Sequence, residues 1–437
     1  MHITKEVTTT EILVERQARG IARAFSALQH RNYRLFWSGQ MVSLIGTWMQ
    51  TTGQSWLVLQ LTKSAWALGV VGALQFLPVL FFTLFGGVLA DRLPKRRMLL
   101  ITQSMAAILA FVLWLLVFTH TVQLWHVFIL AALLGISNAF DMPTRQSFVV
   151  EMVGRKDLPN AIALNSSVFN MARIVGPGIA GLVIAWFGEA PLFLLNAISF
   201  IPVLAGLAMI NPAQLHTQAT PTNAKHQSAF KSLGEGFVYI WNTPAILMII
   251  AIVGLVSLFG INFNVTLPLM ATDVLNVGAE GFGFISSAFG LGALLAALWL
   301  AWVNKRPAIK QILFSAILFG IGEALFAVSH WYLLSLVLVA MVGFLQIAFS
   351  AVANSTLQTL APDHLRGRIM SMYMLVFAGS TPLGNLLTGA GARSFGVSAT
   401  LLVSALLSLA VALIGWFLHK PAGKSVKQTA SVLPQRN

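Results

Sequence analysis

The residues of this chain that could do chemistry are few, and most lie inside long apolar runs. Arg173 sits roughly 15 residues into one run, about 22 Å along a helix rising ~1.5 Å per residue. A guanidinium at that depth is costly unless it faces a wet cavity, pairs with a neighbouring helix, or snorkels to the interface. Ser166 and Asn170 precede it on the same helical face. Gln40, Ser43, Thr47, Gln50 and Gln54 form a second polar stripe at helical spacing. A lipid-facing helix does not keep three glutamines on one face, so this stripe lines a cavity or a helix–helix seam. Asn262, Asn264 and Thr266 offer a comparable set later in the chain, and Ser380, Thr381 and Asn385 another. The candidate cavity is therefore Gln50, Gln54, Asn170, Arg173, Asn262 and Asn385. Amides and one fixed positive charge suit binding, with no bond-breaking group among them. Glu323 is the other ionisable group deep in an apolar run. It fits a protonated structural group, with proton coupling as the alternative, so the coupling candidates are Arg173 and Glu323.

Catalytic and metal chemistry find little support. The 9 histidines are scattered, none pairs with an acid at ligand spacing, and there are no cysteines. The chain contains no H-E-x-x-H and no G-x-x-x-x-G-K-[ST], so neither a zinc site nor ATP drive is indicated. No catalytic residue, metal or cofactor is assigned. The formal charge of +14 suggests nucleic acid until its distribution is read along the chain.

Composition sets the class of element that positions these residues. The chain is 57% hydrophobic and 9% charged, against ~25% charged in soluble domains. A membrane span needs ~20 apolar residues, and twelve candidates appear. They run 35–61, 65–90, 97–119, 122–141, 158–186, 190–210, 244–271, 279–303, 309–329, 331–354, 366–393 and 397–419. The polar stretch 211–243 divides them six and six. The expected divisions are an N-terminal segment 1–34, a bundle 35–210, a linker 211–243, a second bundle 244–419 and a tail 420–437. Within the linker, Phe230, Leu233, Phe237, Ile240 and Trp241 recur at helical spacing, predicting an amphipathic helix on the membrane surface. The first 33 residues are polar and carry no signal-type apolar core.

With the N-terminus inside, all of the 27 basic residues but Lys63, Arg393 and Arg173 fall on the inner side. That asymmetry places both termini in the cytoplasm. It also accounts for the charge as a positive-inside signature suited to anionic lipid rather than nucleic acid. Two further stretches read alike. One runs Val150 to Lys156 and continues into a helix with Gly176, Pro177 and Gly181; the other runs Leu360 to Arg368 and continues into a helix with Thr381, Pro382 and Gly384. Duplicated units with helices interrupted at matching places are the sign of alternating access.

The run Gly87-Val88-Leu89-Ala90-Asp91-Arg92-Leu93-Pro94-Lys95-Arg96-Arg97 resembles the G-x-L-a-D-R-x-G-[RK]-[RK] signature of the major facilitator superfamily, with Pro94 where that family has Gly. Gly87 would let span 2 approach a neighbour closely. The resemblance implies that Asp91 sits at the N-terminus of span 11 and latches the cytoplasmic side, with Arg92 and Arg96 in the same gate. The counterpart from Gly292 to Arg306 keeps the bases but has no Asp. Gly176-Pro177-x-x-Ala180-Gly181 resembles the end of the superfamily's antiporter signature, associated with exporters. Asp141 and Arg145 flank Pro143, which is expected to end the helix between them. Asp141 then pairs with the loop 2–3 bases, as the superfamily's gates imply, or stands as a solvated carboxylate. Arg31 to Trp37, Asp141-x-Pro143-x-Arg145 and Asn160 to Ser167 resemble the enterobactin-exporter-like branch.

These readings predict an all-α membrane protein with twelve transmembrane helices in two pseudo-symmetric bundles, multi-pass in the cell membrane. The resemblance implies a monomeric secondary transporter, with a small-molecule substrate, protons and membrane lipids as its partners. It would export amphipathic, drug-like or siderophore-like molecules. An importer or a non-transporting receptor on the same fold, or a membrane-embedded enzyme, are the alternatives.

Overall fold

A computed structural model describes residues 25–216, 234, 237–303, 308–362 and 365–419, with the backbone alone at Leu84, Val88, Ala90, Asp91 and Arg92. The described residues form helices and no strand. The helices are α1 (Arg31–Thr62), α2 (Ala65–Arg92) and α3 (Lys95–Phe118), followed by one continuous element, Leu124–Phe187. Gly154, at φ 70°, divides that element into α4 (124–153) and α5 (155–187). A left-handed backbone there costs a glycine nothing. The first half ends with α6 (Ala190–Met209); after the linker the second half comprises α7 (Pro244–Val274), α8 (Ala279–Trp302), α9 (Ile309–Ala327), α10 (Tyr332–Leu360), α11 (Arg366–Phe395) and α12 (Val397–Leu418).

Sequence chemistry sets the corners. Lys63 closes α1 in the left-handed region, and the Ser64 hydroxyl accepts from the Ala67 amide to cap α2. Gly188 (φ 79°) and Gly396 (φ 82°) turn α5 into α6 and α11 into α12, matched corners of the two halves.

Nine of the described helices pass a length-and-apolarity test for spanning a membrane. That count takes α4 and α5 together, while α1 and α11 fall short because of their Gln, Thr, Ser, Asn and Arg. Exposed Ile101, Ile108, Phe111, Ile201 and Ile414 form outward apolar faces that suit lipid. Fully buried Phe193, Phe319, Phe326 and Phe349 fill the bundle interiors.

The extensive contacts between α1–α6 and α7–α12 are α2 on α11 and α5 on α8. Each is closed by a glycine pair. A Cβ on Gly69 would lie 3.2 Å from the Gly389 Cα, and one on Gly283 would lie 2.9 Å from the Gly181 Cα. Such spacing lets backbones touch. Both pairs lie near the bundle end where α2 and α8 begin, opposite the end where α1 begins and α12 finishes. Toward that other end, α2 turns Gly86 against Ala139 of its own half, and Gly87 meets open space. The close approach assigned to Gly87 therefore belongs to its neighbour.

Two expectations about helix breaks are corrected. The helix runs unbroken through Pro143, through Gly176-Pro177 and through Pro382. Long helices absorb a missing N–H by curving when their neighbours hold them. The interruption lies instead in α7, at Ile261 and Asn262. Of the expected linker helix, residues 237–241 are helical, with Phe237 and Trp241 stacked at 5.9 Å and Ile240 buried; residues 217–233 lie outside the described residues.

Candidate functional site

Arg173 lies on the face of α5 that meets α8. The Gly290 position allows this approach, since a Cβ there would come 2.8 Å from the Arg173 carbonyl oxygen. The Ser287 hydroxyl ties the next turn by donating to the Ile174 carbonyl at 2.7 Å. The Arg173 guanidinium carbon stands 4.8 Å from the Phe289 ring centroid and 5.9 Å from that of Trp48. One guanidinium nitrogen donates to the Gln346 side-chain oxygen on α10 at 3.5 Å. A cation between two ring faces is held by their quadrupoles, which offsets part of the cost of removing it from water.

Arg173 also lines a cavity of about 80 Å³ between the halves, with Trp48, Thr51, Phe263, Asn264 and Ser286 among the walls. The walls thus combine one cation, aromatic faces and small hydroxyls, contributed by α1, α5, α7 and α8.

Elsewhere among the helices are buried carboxamides with unused hydrogen-bonding capacity. Gln54 accepts from the Gln75 amide at 3.4 Å, while its own amide nitrogen has no partner. Asn262 donates to the Leu258 and Phe259 carbonyls, closing the first segment of α7 at its break, and its oxygen has no partner. Neither polar atom of Asn385 has one. Asn385 faces Gly72 of α2, where a Cβ would come 2.6 Å from its nitrogen. Gly384 abuts Asn262. Buried polar groups normally find partners, and these carboxamides keep hydrogen-bonding capacity to spare.

The other predicted residues divide differently. Gln50 is not at the cavity: Asn196 of α6 donates to it at 2.5 Å, inside the first bundle. Asn170 is half-buried and bonds back to the Ser166 carbonyl at 2.8 Å. Asp141 is corrected as well. Its buried carboxylate accepts from Thr102 at 2.8 Å, Gln103 at 2.7 Å and Arg145 Nε at 2.9 Å, and among the loop 2–3 bases with described side chains none shares it. The unbroken helix at Pro143 is what puts Arg145 one turn away, on the same face. Of those bases, Lys95 pairs with Glu151 at 2.7 Å. Arg96 donates to the Leu207 and Ala208 carbonyls, both at 2.6 Å, satisfying the last turn of α6. The side chains of Asp91 and Arg92 lie outside the described residues. Gly176 packs on Trp48 of α1, Pro177 is buried, and Gly181 packs on α8. Glu323 is fully buried beside Gly260 and Ser408, and neither of its oxygens has a partner.

Sequence reading missed Gln346, Gln75, Ser287 and Phe289. A glutamine deep in an apolar span was the signal available for the first two.

A family model described as "Transmembrane secretion effector" matches residues 22–436. The chain is 31% identical to the multidrug efflux pump Tap of Mycolicibacterium fortuitum, over 84% of this chain and 90% of that one. It is 26% identical to the staphyloferrin A transporter of Staphylococcus aureus, over 89% and 96% of the two. Macrolide efflux protein A of Streptococcus pyogenes is 23% identical, over 88% and 96%. In fold, the chain resembles the nucleoside transporter NupG, with a TM-score of 0.69 at 15% identity, covering 89% of this chain and all of that one. A bacterial homolog of the human lysosomal transporter Spinster, in an inward-facing conformation, gives 0.67 at 12% identity, covering 89% and 96%. The chain belongs to the transmembrane secretion effector family of major facilitator transporters, multi-pass proteins of the membrane.

Proposed function

We propose that this transporter exports amphipathic organic molecules across the cell membrane by alternating access, acting as a monomer and driven by inward movement of protons. The observation that carries the reading is Arg173, a half-buried cation held by Trp48, Phe289 and Gln346 on the wall of a cavity between the two halves. Asn385, whose unused polar atoms meet α2 across the two halves, supplies hydrogen bonds without selecting one sign of charge, as polyspecific sites require. Relatives named as multidrug, macrolide and siderophore transporters support the substrate class.

The basic asymmetry puts both termini in the cytoplasm. The end where the two glycine pairs bring the halves together is then the external one. Asp91, by resemblance, latches the cytoplasmic side when that side closes. Of the two coupling candidates, Arg173 lines the cavity, while Glu323, inside the second bundle beside Gly260 and Ser408, fits a neutral structural group. The fixed charge of Arg173 favours anionic and catechol-type substrates over cations.

Efflux assays in a pump-deleted strain, with and without an uncoupler, test the reading. Substrate retention that an uncoupler restores supports it; efflux indifferent to the uncoupler removes the proton drive.

A further inference from the structure

At the bundle end remote from the chain termini, a second cavity of about 720 Å³ opens between the halves. Trp56 and Gln60 line it from α1, Glu189 from the α5–α6 turn, Glu280 and Phe284 from α8, and Tyr332 from the start of α10. The size falls within the ~300–1,000 Å³ typical of small-molecule sites.

Its charge is opposite to that of the chain. The protein carries +14, yet this lining holds two carboxylates and no Lys or Arg. The carboxylates come from opposite halves. Burial pushes the Glu189 carboxyl above its ordinary value, as happens when no base repays desolvation. Three ring systems, Trp56, Phe284 and Tyr332, accompany the acids. The Tyr332 hydroxyl donates to the Gly281 carbonyl at 3.3 Å, which fixes that ring on the wall.

A partition separates this cavity from the Arg173 site. Trp56 lines the outer cavity and Phe282 the inner one. Their rings stack at 6.2 Å with 18° between planes.

We propose that the outer cavity is a binding site for organic monocations with an aromatic or alkyl body, distinct from the Arg173 site. The charge pairs with Glu189 and Glu280, and the body lies on the Trp56, Phe284 and Tyr332 rings. Because the two acids belong to different halves, the occupant joins them and favours the closed outer end. A metal ion is a poorer fit: among the described residues no group of three His, Cys, Asp or Glu side chains comes together.

The test uses the full chain in lipid nanodiscs, with tetraphenylphosphonium as probe and tetraphenylborate as its anionic counterpart of the same shape. Glu189→Gln combined with Glu280→Gln is expected to weaken tetraphenylphosphonium binding about tenfold or more, leaving tetraphenylborate unaffected. Arg173→Ala is expected to change it less than about twofold. Unchanged tetraphenylphosphonium affinity in the double variant overturns the proposal, as does equal loss for both ions or a loss that follows Arg173. Thermal melting checks the fold of the double variant. If it does not fold, Glu280→Gln alone, at an exposed residue, is expected to weaken the cation about threefold, and no change there overturns the proposal.

Discussion

The Arg173 guanidinium of one half lies 4.8 Å from the Phe289 ring of the other. This contact crosses the seam along which the two bundles must separate and rejoin. An exposed cation–π contact contributes ~0.5–1 kcal/mol and a desolvated one ~2 or more. That is comparable to the few kcal/mol separating transporter states. The same charge can therefore serve both the substrate and the state that receives it.

Arg173→Lys is expected to lower transport of anionic substrates about threefold to thirtyfold, although the charge is kept. Lysine is a point charge without the planar fork that stacks on Trp48 and Phe289 while reaching Gln346. Transport kinetics for an anionic substrate, alongside binding of an uncharged one, check this.

Glycine at the external end controls closure. Gly181→Val puts a branched side chain where a Cβ already comes 2.7 Å from the Ala279 carbonyl oxygen. Overpacking costs ~1–3 kcal/mol, so the closed outer state loses about fivefold to a hundredfold in population. Increased labelling of a cysteine placed at Gln60, by a reagent added to the outer side, reads the shift.

Asp141 holds the first bundle together. Asp141→Asn removes the charge that Arg145 pairs with and replaces an acceptor of Thr102 and Gln103. Breaking a buried pair costs ~3–5 kcal/mol. Arg145 is 25% exposed and can be rehydrated, so about 2–4 kcal/mol is expected. A lowered melting temperature, with no change in substrate preference, is the predicted outcome.

A pH-dependent tether lies at the start of α5. Asp157 accepts from the His30 ring at 2.9 Å and from Ser26 at 2.8 Å. The hydrogen bonds from His30 and Ser26 hold its carboxyl below the ordinary range. A depressed carboxylate contributes stability that is complete above its unfolded value of ~4 and is lost as pH falls through the lower folded value. The stability difference between wild type and Asp157→Asn is therefore level from neutral pH down to about 4 and vanishes below that. Melting curves across that window show it.

Much of the fold was legible because membrane spans announce themselves by length and apolarity, and charge asymmetry orders the loops. The depth of Arg173 marked it for the same reason: hydrocarbon makes an isolated cation conspicuous. Finer assignments failed where sequence spacing could not tell which neighbour a face would meet. Gln50 and Gln54 lie one turn apart on the same stripe, yet one bonds to Asn196 of α6 and the other to Gln75 of α2. Gly86 and Gly87 are adjacent, and packing selects the first. Pro143 and Pro177 read as breaks, but tertiary contacts keep both helices whole. The real break, at Asn262, carries no proline at all.

Flux of an anionic amphiphile into proteoliposomes under a pH gradient, wild type against Arg173→Ala, tests the substrate site most directly. The account predicts a loss of about tenfold or more, with an unchanged melting temperature. An Arg173→Ala protein that transports a panel of anionic substrates as well as wild type contradicts it.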